Sequence, residues 1–206
     1  MQQPSSLLLL LLITFASASN GVFDSAASDA ATHELFAAAR ADDAGGVAAA
    51  LAAGARIDER RAAFAGSGLA TPLMVASLGG GASAVLALLR AGADPTIGEK
   101  DGYTPLHGAG FQGRAAVAAV LLADARGPHQ AHSDGYLPLH RACWGREARH
   151  ADTVEVFLRN GAKHDARSAR GETPLDLARR SGNRRSIELL EKASEAAVEA
   201  GGGGDL

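Results

Sequence analysis

His129, His132, His140 and Cys143 bring four nitrogen and sulfur donors into one short stretch of the 206-residue chain. Four such ligands hold zinc when they converge as a tetrahedron. Their setting argues against convergence, because His129 and His132 sit on a turn while His140 and Cys143 sit on a packed helix. Cys143 stands where Ser77 and Gly110 stand in matching stretches. That place suits small side chains, and a buried packing residue is the reading taken. His107 and His140 share a position that Met74 and Asp176 hold elsewhere, so no histidine array repeats for acid–base work. Gly79-Gly80-Gly81 lacks the following Lys-Ser/Thr and the preceding strand of a phosphate loop. No Ser/His/Asp grouping has a local signature either. The residues therefore predict no enzyme, no cofactor and no bound metal.

Charge offers a second kind of chemistry. Lys163, His164, Arg167 and Arg170 cluster in one turn, with Arg179, Arg180, Arg184 and Arg185 following. Residues 19–140 carry 8 basic and 12 acidic side chains, whereas 141–192 carry 12 and 8. The C-terminal part is thus the basic end of a chain whose net charge is −3. This end reads as a solvated polar cap or, alternatively, as a patch for an acidic partner or a membrane surface. The net charge gives no case for nucleic acid.

The elements that position these residues repeat. Asp101-Gly-Tyr-Thr-Pro-Leu-His107 returns 33 residues later as Asp134-Gly-Tyr-Leu-Pro-Leu-His140. Thr71-Pro-Leu-Met74 lies one period before, and Thr173-Pro-Leu-Asp176 lies 36 residues after Leu137. Asp-Gly is a turn pair. Thr before Pro starts a helix, since Thr caps a free N–H and Pro at the first position loses no bond. Two apolar stretches at helical spacing follow, such as 106–111 and 115–122, split by Gly113. Neither is stable alone, so neighbours must stack to bury a shared core.

The period and the Thr-Pro-Leu-His signature resemble the ankyrin repeat. The resemblance implies an all-α solenoid of stacked helix–turn–helix units with projecting β-turns or hairpin loops. Five repeats are expected, at about 32–58, 69–97, 98–130, 131–166 and 167–198. The first lacks Thr-Pro and reads as a capping unit with helices over 33–41 and 47–53. An enlarged loop over 56–70 follows it. The fourth loses its Thr cap to Leu137 and gains three residues around 146–152, which are expected to lengthen the link between its helices. The resemblance also implies that His107 and His140 are buried and hydrogen-bond neighbouring turns. It places Leu78, Phe111, Trp144 and Arg180, with Tyr103 and Tyr136, toward the concave face. Tyr103, Phe111, Tyr136 and Trp144 then form either a partner-binding patch, bordered by Arg141, or packing against neighbouring helix ends. The function it implies is a non-catalytic protein–protein interaction module, acting as a monomer on a protein partner.

Composition fits this reading. Hydrophobic residues make up 47% of the chain but aromatics only 4%, which suits Ala- and Leu-packed helix pairs. Residues 1–18 have no charged side chain, and Leu7–Phe15 is apolar apart from Thr14. That run is too short for a span of roughly 20 residues, and Ala16-Ser17-Ala18 supplies a small-x-small cleavage pattern. A cleaved signal peptide over 1–18 is expected, which routes the chain to the secretory pathway. The alternatives are organelle targeting and an uncleaved membrane anchor. Residues 19–31 read as an irregular linker and 199–206 as a flexible Gly-rich tail. Cys143, the one cysteine, excludes an intramolecular disulfide.

Overall fold

The computed structural model describes residues 23–62, 68–99, 102–124 and 131–201. Within them ten helices follow in pairs: α1 (Phe23–Ala41) with α2 (Ala44–Ala52), α3 (Pro72–Gly79) with α4 (Ala82–Arg90), and α5 (Pro105–Gln112) with α6 (Ala115–Ala123). Then come α7 (Pro138–Ala142) with α8 (Ala148–Arg159), and α9 (Pro174–Ser181) with α10 (Arg184–Gly201). The odd-numbered helices pack side by side in one row and the even-numbered ones in a second. The architecture is an all-α repeat solenoid.

The helix starts follow from the residues that precede them. Thr71 Oγ1 accepts from the Met74 N–H at 3.2 Å, and Thr173 Oγ1 from that of Asp176 at 3.2 Å. Each proline occupies the first helical position, where a missing N–H costs nothing. Glycines in the left-handed conformation end α3, α5 and α9. In front of α5, α7 and α9 the chain makes the same turn each time: Glu99 N–H to Tyr103 C=O, His132 to Tyr136, and Ser168 to Glu172, at 2.9 to 3.0 Å. Gly102, Gly135 and Gly171 supply the positive φ those turns need.

Between the rows lies one core. Leu73, Leu106, Leu139 and Leu177 enter it from the odd helices, and Val47, Leu88, Val117, Phe157 and Leu190 from the even ones. Small residues let the odd helices approach: a Cβ on Gly110 would lie 2.5 Å from the Pro138 carbonyl oxygen. Cys143, at the equivalent place, is fully buried.

The structure differs from the sequence expectation in three places. The stretch 19–31, read as linker, is helical from Phe23 onward. It lacks an apolar period, but its alanines favour helix, and its hydroxyls dock it. Thr32 Oγ1 donates to Ser28 C=O at 2.6 Å and accepts from Arg56 N–H at 2.9 Å, while Ser28 Oγ reaches Gly54 C=O. The extra residues around 146–152 lengthen α8 to 12 residues, and α7 shrinks to 5. Helix α10 continues to Gly201, past the start of the stretch read as tail; the rest of that stretch lies outside the described residues. The enlarged loop carries a two-residue antiparallel ladder, β1 (Arg61–Ala62) with β2 (Leu69–Ala70). The leader, residues 1–18, also lies outside the described residues.

Candidate functional site

The odd helices present one row of equivalent side chains. Leu78, Phe111, Trp144 and Arg180 each stand five residues after the motif leucine of their helix. The row begins one repeat earlier than the sequence reading placed it, at Arg40, five residues after Leu35. The missing Thr-Pro in the first repeat concealed it. Phe111 and Trp144 meet edge to face with ring centroids 6.2 Å apart, and Trp144 meets Tyr136 at 5.3 Å. Phe111 is 45% exposed and Trp144 37%, although both belong to the packed row.

Beneath the rings lies a cation. The Arg141 guanidinium carbon is 4.4 Å from the Trp144 ring centroid, 5.1 Å from that of Tyr136 and 5.7 Å from that of Tyr103. Its other partners are Asp134, at 2.6 Å, and His132 Nδ1, at 3.2 Å. Burial opposes ionisation of Asp134. The Tyr136 N–H, His132 and Arg141 outweigh it and hold the carboxyl below the usual range. Tyr103 is half-buried, donates to the His107 carbonyl at 3.4 Å, and has its phenol pushed up to about 12 by desolvation.

Two sequence-predicted contact residues are therefore corrected. Tyr136 is 5% exposed and Arg141 6%, so neither presents a free side chain to a partner. The Tyr136 hydroxyl donates to the Glu172 carboxylate of the next repeat, and Glu172 is also paired with Arg180. They form the base on which Trp144 stands, and Phe111 leans on Trp144. Leu78 is half-buried against Phe36, Met74 and Val75.

The two motif histidines work between repeats. His107 Nδ1 accepts from Thr104 N–H at 3.3 Å, and its Nε2 donates to Tyr136 C=O at 3.1 Å. His140 Nδ1 accepts from Leu137 N–H at 3.1 Å, and Nε2 faces the carbonyls of Ala166 at 3.0 Å and Glu172 at 3.2 Å. Desolvation holds both rings down to about 4, hence neutral at pH 7. With both ring nitrogens of His140 engaged by the backbone, the four-ligand zinc set is not assembled. Cys143 is buried with its thiol pushed up by desolvation, His132 pairs with Asp134 at 2.8 Å, and His129 lies outside the described residues. Among the described residues no group of three or more His, Cys, Asp or Glu could hold a metal ion.

At the basic end, Lys163, Arg167 and Arg170 are exposed and His164 is half-buried. Arg167 donates to Gly171 C=O at 2.8 Å. Three of the four helical arginines are paired locally: Arg179 with Glu191, Arg180 with Glu172, and Arg185 with Asp152 and Glu155.

Residues 73–168 match the family model for ankyrin repeats, in three copies. The chain is an ankyrin-repeat protein. Ankyrin repeats are in general protein–protein interaction modules, and the match covers the repeats that carry Leu78, Phe111, Arg141 and Trp144. No curated protein matches the chain. Among the described residues no helix is long and apolar enough to cross a membrane.

Proposed function

We propose that this chain is a non-catalytic interaction module that grips a protein partner along the row of odd helices, on the concave face of the solenoid. The observation that carries the reading is the pair Phe111 and Trp144: two large rings on adjoining repeats that meet edge to face, Trp144 seated on Tyr136 and Arg141, yet both exposed. Rigid aromatics on a fixed base lose little entropy on binding, and such residues dominate interface energetics. The partner is a protein and the module acts as a monomer; the net charge of −3 offers nothing that would attract nucleic acid.

Trp144→Ala tests this. Its partner affinity, against a protein captured by the full chain, is expected to fall by ~2 kcal/mol or more. Helical content should be retained, with only a small drop in melting temperature. Lost stability with unchanged affinity would make the row structural. It would also shift the function to the exposed basic residues Lys163, Arg167 and Arg170.

The leader over residues 1–18 directs the chain into the secretory pathway in this reading, supported by Leu7–Phe15 and Ala16-Ser17-Ala18. Intact mass of the protein from its native host is expected to correspond to a chain starting at Ser19. A chain retaining Met1–Ala18 would refute cleavage and favour an anchor.

A further inference from the structure

Between the ends of α1, α3 and α5 lies a cavity of about 320 Å³ lined by Arg40, Val75, Leu78, Gly79, Gln112 and Arg114. Its lining sets the apolar Val75 and Leu78 beside two arginines, Arg40 and Arg114. Arg114 uses Nε to donate to Leu78 C=O at 3.3 Å, and Arg40 has no hydrogen bond or ion pair with any described residue. Neither is met by a carboxylate among those residues. Asp42, the nearest acid in sequence, is turned away: its Oδ1 accepts from the Ala84 N–H at 2.7 Å, at the start of α4. Two arginines lining one cleft with no counter-charge among the described residues contrast with Arg180, at the other end of the same row, which is paired with Glu172.

We infer that this cleft receives the side-chain carboxylate of an aspartate or glutamate on an extended acidic-apolar segment of the partner. The inference rests on the interaction reading above and names the partner's chemistry. Guanidinium groups match carboxylate geometry through paired N–H donors, and the apolar part of the lining strengthens such bonds by excluding water. Gln112 adds an amide to the same lining. The row continues from the cleft over Phe111 to Trp144, so the segment runs on past the cleft. The carboxylate is therefore a side chain of that segment and not a chain end. Packed helices stand about 10 Å apart, and an extended chain advances roughly 3.3–3.6 Å per residue. The acidic residue thus precedes or follows a large apolar residue by about three positions.

The test uses the full chain as bait for a displayed library of random peptides. An enriched peptide is then synthesised with both ends blocked, alongside its Glu→Gln or Asp→Asn version. Enrichment of an acidic residue about three positions from a large apolar one is expected. Arg40→Gln should weaken the blocked peptide severalfold, and Arg40→Gln with Arg114→Gln by about tenfold or more, with a steep salt dependence. Lys163→Gln with Arg170→Gln should leave it unchanged. Arg40→Gln alone guards against loss of fold, because that exposed side chain has no hydrogen bond or ion pair among the described residues. Peptides without a carboxylate, or binding that only an unblocked C-terminus sustains, would overturn the inference. So would binding abolished by Trp144→Ala but indifferent to both arginine variants; the proposed function would then stand. Indifference to all of these variants, or no enrichment, would overturn both.

Discussion

Arg141 is a charge the fold has taken out of water. Its side chain retains one carboxylate, Asp134, the Nδ1 of His132 and three aromatic faces, and its Nε is buried without a hydrogen-bond partner among the described residues. A guanidinium tolerates this because it is planar, weakly hydrated and attracted to ring faces; an ammonium is none of the first two. Arg141→Lys is therefore expected to behave as a disruptive change despite conserving charge. The loss should be about 2 kcal/mol in urea denaturation, below the usual cost of breaking a fully buried pair because Asp134 remains partly exposed. The same substitution frees Trp144 to move, so its fluorescence should shift. Wild-type stability and an unchanged emission spectrum would mean that the rings hold themselves.

At the scale of the helix, α7 shows how one motif survives the loss of a part. Leu137 has no oxygen to accept the His140 N–H, and only the reverse half of the cap remains, with His140 Nδ1 taking the Leu137 N–H. Leu137→Thr should restore the missing bond and raise stability by ~1 kcal/mol, read as a higher urea midpoint with the slope unchanged. A fall would show that the half-buried Leu137 contributes more by packing than by its absent cap. Helix α7 is also the shortest of its row. Gly145 follows it because the His150 ring lies 1.9 Å from where a Cβ would be. The starts of α3, α5, α7 and α9 were legible in the sequence, since Thr-Pro and Leu-Pro act locally and need no tertiary context. Extension of α1 back to Phe23 was not legible. Its small residues carry no apolar period, and the bonds from Ser28 and Thr32 that dock it reach residues 24 to 26 positions away. The aromatic row was legible as a register of positions, but burial within it was not. Tyr103 and Tyr136 occupy the same motif place. They differ because the Tyr136 hydroxyl finds Glu172 one repeat on, whereas that of Tyr103 turns to its own helix.

For the molecule as a whole, the histidines make the stacking of repeats depend on pH. His107 ties the third repeat to the Tyr136 carbonyl of the fourth, and His140 ties the fourth to the Ala166 and Glu172 carbonyls of the fifth. Both rings have a folded pKa of about 4, below the 6.5 of an unperturbed histidine. Above pH 6.5 folded and unfolded chains are both neutral at these positions and the stability is at its plateau. Between pH 6.5 and 4 the unfolded chain binds protons that the folded one refuses, so stability falls as pH falls. Below 4 both forms are protonated and the loss stops growing. The slope is ~1.4 kcal/mol per pH unit for each ring, about 2 kcal/mol each at pH 5. Together that is a sizeable share of the total stability of a domain. Carboxylates such as Asp134 and Asp176, whose folded pKa values are lowered, act in a separate window, at and below the ordinary carboxylate range. Urea melts from pH 7.5 to 4.5 should therefore show a steep decline in the wild type. The variant His107→Ala with His140→Ala should be weaker at pH 7.5, where two inter-repeat bonds are missing, but much flatter down to pH 4.5. An equal decline in both proteins would show that other groups control the acid response and that these rings titrate normally.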